Sequence, residues 1–177
     1  TAEALFTFTS HGGGLKTVAL KRYPEIITCN DKEVTETNRV RLNTGSAMPV
    51  MALLGGEALV GDGLFQLTRD GQNVRATKTL TNGLRITREF AVSSNYLVSA
   101  KERLENQSNQ PLALPPQATV IATTSPFGAR DDPTRLGTYW FNGEKKQSVD
   151  EPWFLNHTMG CGCLGGTPRT DYLQGNN

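Results

Sequence analysis

Cysteine is scarce in this sequence, neither sign of charge dominates, and no long apolar run occurs. Three cysteines in 177 residues, Cys29, Cys161 and Cys163, are too few for a disulfide scaffold. With His157, the last two make a His-x-x-x-Cys-x-Cys pattern that supplies only three soft ligands. A closed zinc site wants four, and the fourth would have to come from a distant residue such as Cys29. No metal or other cofactor is therefore expected. The cysteines read as free thiols in a glycine-rich loop, or as a bridge from Cys29 to one of the pair. The 18 basic and 17 acidic residues are interspersed and leave a net charge of +1. Such a surface has no broad field to draw in a phosphate backbone or anionic lipid, so nucleic acid is not an expected partner. No stretch approaches the ~18 apolar residues of a membrane span. The chain opens at Thr1 without a methionine and shows no signal peptide. It reads as a piece of a longer parent that carries targeting or membrane segments. A sustained helical stripe is also missing: the best candidate, Met51 to Val60, is broken by Gly55-Gly56.

What is present is turn chemistry. Asp62-Gly63, Asp70-Gly71, Asn82-Gly83 and Asn142-Gly143 each lie between short alternating or β-branched runs. Such dipeptides favour two-residue type I′ hairpins, where both central residues take positive φ. Their recurrence predicts a meandering antiparallel β protein. With glycine counted, the hydrophobic content of 37% reaches the ~45–50% usual for globular chains. One domain of this length can bury roughly 70% of its unfolded surface. Residues 4 to 24 predict a hairpin around Ser10-His-Gly-Gly-Gly14, and residues 25 to 46 a long polar loop. From about Met48 to Val149 strands recur. The clearest alternation is Leu84, Ile86, Phe90 and Val92, with Arg88 breaking the inward set and either at a rim or paired. Tyr96, Val98, Ala100 and Leu104 repeat the period on the next strand, interrupted by Glu102. Pro115-Pro116 belongs at an edge or bulge, since neither residue donates to a ladder. The domain is read as residues 1–149, with 150–177 an irregular Gly/Cys-containing end of the same domain.

Several motif matches fail on context. His11-Gly12-Gly13-Gly14 matches an oxyanion-hole motif, but the Gly-x-Ser-x-Gly nucleophile elbow that it needs is missing. Gly160-Cys-Gly162-Cys-Leu-Gly165 lacks the strand before and helix after that a dinucleotide demands. Glu102 with Glu105, and Asp131 with Asp132, read as charged strand faces and a solvated loop, because sequence spacing does not set the ~5–9 Å carboxylate separation of glycosidic chemistry. Asn106-Gln-Ser and Asn156-His-Thr fit the glycosylation triplet, which arises often by chance. The remaining clue is aromatic. Tyr139-Trp140-Phe141 and Trp153-Phe154 hold five of the thirteen aromatic residues. Alternation sends Tyr139 and Phe141 to one face and Trp140 to the other. Core is the favoured reading for these residues, since an exposed aromatic patch invites association. Tyr139, Trp140 and Trp153 are the candidates for a binding surface, and no catalytic residue is expected.

One family fits these residues in order. Phe6-Thr-Phe-Thr-Ser-His-Gly-Gly-Gly-Leu-Lys-Thr-Val-Ala-Leu-Lys-Arg-Tyr23 resembles the opening of the large periplasmic domain of YidC-type membrane protein insertases. Asn82-Gly-Leu-Arg-Ile-Thr-Arg-Glu-Phe-Ala-Val, Asn95-Tyr-Leu-Val, Glu105-Asn106 and Gln110-Pro-Leu resemble its middle, and Gly137-Thr-Tyr-Trp-Phe-Asn-Gly143-Glu-Lys-Lys a later hairpin. The likeness runs through most of residues 4 to 149; Thr28 to Met48 and the segment after Glu151 fall outside it. It implies an all-β antiparallel β-supersandwich with galactose-mutarotase-like architecture. It also implies a place on the periplasmic side of the bacterial inner membrane, in a parent that is an integral membrane protein. Insertion chemistry in that family belongs to membrane helices that this chain does not contain. The expected role is therefore a non-catalytic interaction domain that meets Sec translocon components or nascent membrane proteins. The alternative is a sugar-binding or mutarotase-like β-sandwich, which needs His11, His157 and a carboxylate such as Glu102 in one cleft, or Trp140 or Trp153 as a flat stacking platform.

Overall fold

The computed structural model describes residues 1–26, 34–46, 48–121 and 137–150. They fall into two compact units, Thr1–Thr123 and Thr124–Asn177. The first carries β1 (Ala4–Thr9), β2 (Gly14–Pro24), β3 (Arg39–Leu42), β4 (Leu53–Leu54), a single helical turn α1 (Glu57–Val60), β5 (Gln66–Asp70), β6 (Asn73–Thr79), β7 (Leu84–Val92), β8 (Val98–Asn106) and β9 (Ala118–Thr119). The second carries β10 (Gly137–Phe141) and β11 (Lys146–Asp150). All paired strands are antiparallel. The architecture is all-β, as the turn spacing predicts.

In the first unit, β1-β2-β3 form one sheet, β5-β6-β7-β8 a meander, and β4-β9 a short ladder. Strand β7 is flanked on both sides, and its alternation is the clearest among the described strands. Leu84, Ile86, Arg88 and Phe90 are buried on one face while Arg85, Glu89 and Ala91 stay exposed on the other. Leu53, Leu59, Phe65 and Ala76 join Leu84, Ile86 and Phe90 in one core cluster. Fully burying a side chain such as Phe90 or Ile86 contributes about 1.5–3 kcal/mol. The β1-β2-β3 sheet reaches this core through Phe8, whose ring centroid lies 5.0 Å from that of Phe90. Between Thr7↔Thr17 and Phe8↔Leu15 the register slips by one residue, leaving Lys16 as the bulge.

Four local readings change. Residues 39–42, expected in a loop, form β3 against β2 (Val18↔Leu42, Ala19↔Arg41); four residues are too few for a period-2 signal to stand out from polar surroundings. Tyr96 is not on a strand. It sits at φ 65° in the β7–β8 turn, closed by Ser93 N–H donating to Leu97 O at 3.0 Å. A helical turn does form near Gly55-Gly56, but only after them. The hairpin turns also differ in type. Asp70 pairs with Asn73, so Gly71 and Gln72 make the loop and only Gly71 (φ 58°) is left-handed, a type II′ geometry. Gly83 (φ 86°) closes a three-residue loop, with its N–H on Leu80 O at 3.0 Å. Asp62-Gly63 makes no hairpin and instead links α1 to β5. At all four dipeptides the glycine alone takes positive φ. Pro115 and Pro116 lie in an irregular stretch before β9.

Asp62 nonetheless has a structural job. Its Oδ1 is paired with Lys78 Nζ, whose side chain is 9% exposed, and accepts the Leu64 N–H at 3.0 Å. The Lys78 hydrogen bond, followed by the Leu64 amide, holds the Asp62 carboxyl below its ordinary value near 3.8. A depressed carboxylate stabilises the fold above its unfolded pKa and loses that contribution as pH falls through its folded pKa. We therefore expect the stability difference between wild type and Asp62→Asn, read from urea unfolding, to shrink as pH drops below about 4. A difference that stays constant across that range would remove Asp62–Lys78 from the acid response.

Candidate interaction surface

The glycine connection between β1 and β2 is built around Arg88. Facing the core at 2% exposure, this guanidinium must find partners or unfold its surroundings. Its Nη1 donates to Gly12 O and Gly13 O, each at 3.0 Å. Its Nε lies 2.9 Å from Glu102 Oε2, the residue directly opposite on β8. That approach is off the N–H axis, so it is an ion pair more than an aligned hydrogen bond. The Phe90 ring adds a cation–π contact with Arg88 Cζ 5.4 Å from its centroid. Burial draws the Arg88 pKa downward, and Glu102 opposes that shift. The alternatives of rim or pairing thus resolve as a buried, paired cation.

The same contacts decide the His11-Gly-Gly-Gly14 motif. An oxyanion hole needs free N–H groups aimed at the reacting oxygen. Here Gly12 N–H is spent on Gly63 O at 2.8 Å and Gly13 N–H on Ser10 O at 3.3 Å. The carbonyls point at Arg88 instead, so the turn is an anchor for a cation. Glu102 is committed to that cation, His11 is exposed on an isolated bridge to Leu64, and His157 lies outside the described residues. Glu102, the carboxylate named for sugar chemistry, is therefore already engaged by a cation.

The face of the meander away from the core is polar. Arg75 and Glu89 pair across it at 2.8 Å, and Arg103 approaches Glu105 at 3.7 Å. A hollow of about 540 Å³ reaches from Thr68 and Asp70 to Ser99 and Lys101. A smaller one of about 240 Å³ lies among Arg85, Thr87, Arg103 and Glu105. Phe90 lines the larger hollow, but its ring is 1% exposed, so no aromatic surface is offered there for stacking. Charges of both signs, one pair bridging β6 to β7 and one lying along β8, make this a solvated face.

The aromatic candidates lie elsewhere, on the β10–β11 hairpin. Tyr139 and Phe141 share one face and are 78% and 64% exposed. Their cross-strand neighbours are Ser148 and Lys146. Trp140, on the opposite face, is half-buried, and Val149 on that side is 8% exposed. The alternation predicted for Tyr139, Trp140 and Phe141 is thus present. An exposed Tyr–Phe pair beside a lysine is a surface that gains from being covered, since apolar ring area leaves water while the phenol and ammonium keep polar contacts. Phe141 belongs with Tyr139 here, and alternation alone points to it.

Other sequence candidates divide between satisfied groups and undescribed ones. Asn106 closes its own loop, donating to Gln110 O at 2.7 Å and accepting Ser108 N–H at 2.9 Å. Trp153, Cys29, Cys161, Cys163, Asn156, Asp131, Asp132 and the Gly160–Gly165 motif lie outside the described residues. Among the described residues no group of three or more His, Cys, Asp or Glu side chains is placed to hold a metal ion. No described helix is long and apolar enough to cross a membrane. No curated protein and no solved structure matches the chain. A family model does match it, over residues 2–151, and its description is YidC periplasmic domain.

Proposed function

This chain belongs to the YidC periplasmic domain family, and from that premise we propose that it is a non-catalytic interaction domain of a YidC-type insertase at the bacterial inner membrane. In this reading residues 1–149 are the working domain, and it assists membrane protein insertion and folding by contact with Sec translocon components or nascent membrane proteins. The family match supports a periplasmic part of a membrane protein. The observation that carries the contact role is the paired exposure of Tyr139 and Phe141 on one hairpin face. Aromatic residues are enriched where proteins meet, and their two-torsion side chains lose little entropy on being covered. Trp140 supports the hairpin from its opposite, half-buried face, and Trp153 stays a candidate contact on sequence grounds alone.

The test places a photo-reactive benzoylphenylalanine at Tyr139, at Phe141 and, as a control, at Thr87 on the outer face of the meander. The parent insertase carrying each probe is irradiated in its native membrane. Cross-links to translocon subunits or nascent membrane proteins are expected from 139 and 141 and not from 87. Equal yields at all three positions, or none at 139 and 141, would sink the proposed contact face.

A further inference from the structure

Glycine follows asparagine at two positions only, Asn82 and Asn142. A backbone amide followed by no side chain can attack the preceding asparagine amide, and the two turns treat that reaction very differently. In the β6–β7 turn, Gly83 N–H is engaged by Leu80 O at 3.0 Å and Gly83 O accepts Gln107 N–H at 2.8 Å. A Cβ at Gly83 would come within 2.8 Å of Ser108 Cβ, so the backbone is held tightly against the next loop. In the β10–β11 turn, Gly143 (φ 99°) is exposed, a Cβ added there would meet nothing within 4 Å, and its N–H makes no hydrogen bond among the described residues. Asn142 Oδ1 accepts two backbone N–H groups, from Glu144 and Lys145, both at 3.0 Å. Asn82 Oδ1 accepts one, from Leu84 at 3.0 Å.

We propose that Asn142 is a site of spontaneous deamidation, with the Glu144 and Lys145 amides acting as a small oxyanion cradle. The Gly143 nitrogen loses its proton to hydroxide and bonds to Asn142 Cγ. Negative charge collects on Oδ1, which the two donors already hold at the separation that stabilises such an oxyanion. Water protonates Nδ2, and collapse of the tetrahedral species then breaks the Cγ–Nδ2 bond and expels ammonia, leaving a succinimide and regenerating hydroxide. Water then opens the ring at either carbonyl to give aspartate or isoaspartate. The second product inserts one extra backbone carbon beside the Phe141↔Lys146 pair. That insertion shifts the hairpin register and turns the Tyr139–Phe141 face, because side-chain direction in a strand follows register. The first product sets a new carboxylate beside Lys145 and Lys146.

The test incubates the folded 177-residue chain in mildly alkaline buffer, with a parallel sample in urea. Peptide mass mapping and isoaspartyl methyltransferase labelling follow Asn142 and Asn82 separately. In the folded chain Asn142 is expected to convert at least about tenfold faster than Asn82. It should also convert no slower folded than in urea, where the two rates should approach each other. A folded-state ratio under tenfold, or an Asn142 rate that rises on unfolding, overturns the cradle. Gly143→Ala should slow Asn142 and leave Asn82 unchanged, which separates turn chemistry from bulk conditions.

Discussion

Replacing Arg88 with alanine should destabilise the first unit by about 3–5 kcal/mol, the range seen when one partner of a buried ion pair is removed. A loss of that size lowers the thermal midpoint by roughly 10–20 °C in a domain of this size. Three effects act together. Gly12 O and Gly13 O lose their shared donor, Glu102 is left facing the core with its side chain only 26% exposed, and the volume beneath the Phe90 ring empties. Arg88→Lys should recover only part of the loss, because one ammonium cannot reproduce a planar fork that spans two carbonyls and a carboxylate. The double variant Arg88→Met with Glu102→Leu separates charge from shape. It removes both ions, keeps apolar volume, and should regain much of what Arg88→Ala loses. Urea unfolding of these three variants and of Arg75→Ala, each beside wild type, decides the matter. If Arg88→Ala costs no more than Arg75→Ala, whose pair with Glu89 is solvent-exposed and is worth about 0–1 kcal/mol, then Arg88 is not the clamp described.

Arg88 also marks how far sequence reasoning reaches. That a cation in an inward position needs a partner follows from desolvation alone. The identity of the partner depends on register, and register depends on the loop. With Tyr96 placed on the strand, the β7–β8 connection is too short to bring Glu102 opposite Arg88. With Tyr96 in a five-residue turn, Val92 meets Val98 and the pair falls into line. A tyrosine at positive φ, at a local cost of about 1–2 kcal/mol, is set by the surrounding turn and leaves no periodic trace. The two carbonyl partners lie 75 and 76 residues away and depend on tertiary packing. Local signals fared better. The β1–β2 hairpin, the alternation of β7 and the two faces of Tyr139-Trp140-Phe141 follow from period and turn composition. The ladder between β4 and β9 joins two-residue strands some sixty positions apart, below anything a pattern could register. Exposure of the Tyr139–Phe141 face is likewise a matter of contacts from outside the hairpin, which alternation does not specify.

Gly13→Ala is the second large effect expected, about 2–5 kcal/mol. Two penalties combine. Gly13 sits at φ 57°, where an L side chain costs about 1–2 kcal/mol. A Cβ there would also come 2.8 Å from Phe65 Cγ, and Phe65 is 4% exposed in the core cluster, so its ring has little room to retreat. Overpacking of that kind adds about 1–3 kcal/mol. Gly71→Ala is the matched control: its φ is 58°, but nothing lies within 4 Å of the added carbon. It should therefore show the backbone penalty alone. The difference between the two variants in urea unfolding isolates the contact with Phe65, and Phe65→Leu in the Gly13→Ala background should reduce it. Equal losses from Gly13→Ala and Gly71→Ala would mean that the glycine turn yields to the core. Gly12 and Gly13 would then be present only for their left-handed backbone, and the carbonyl pair that holds Arg88 could move without cost. A larger loss at Gly13 ties the turn, the Phe65 ring and the buried guanidinium into one packed unit, as their mutual distances require.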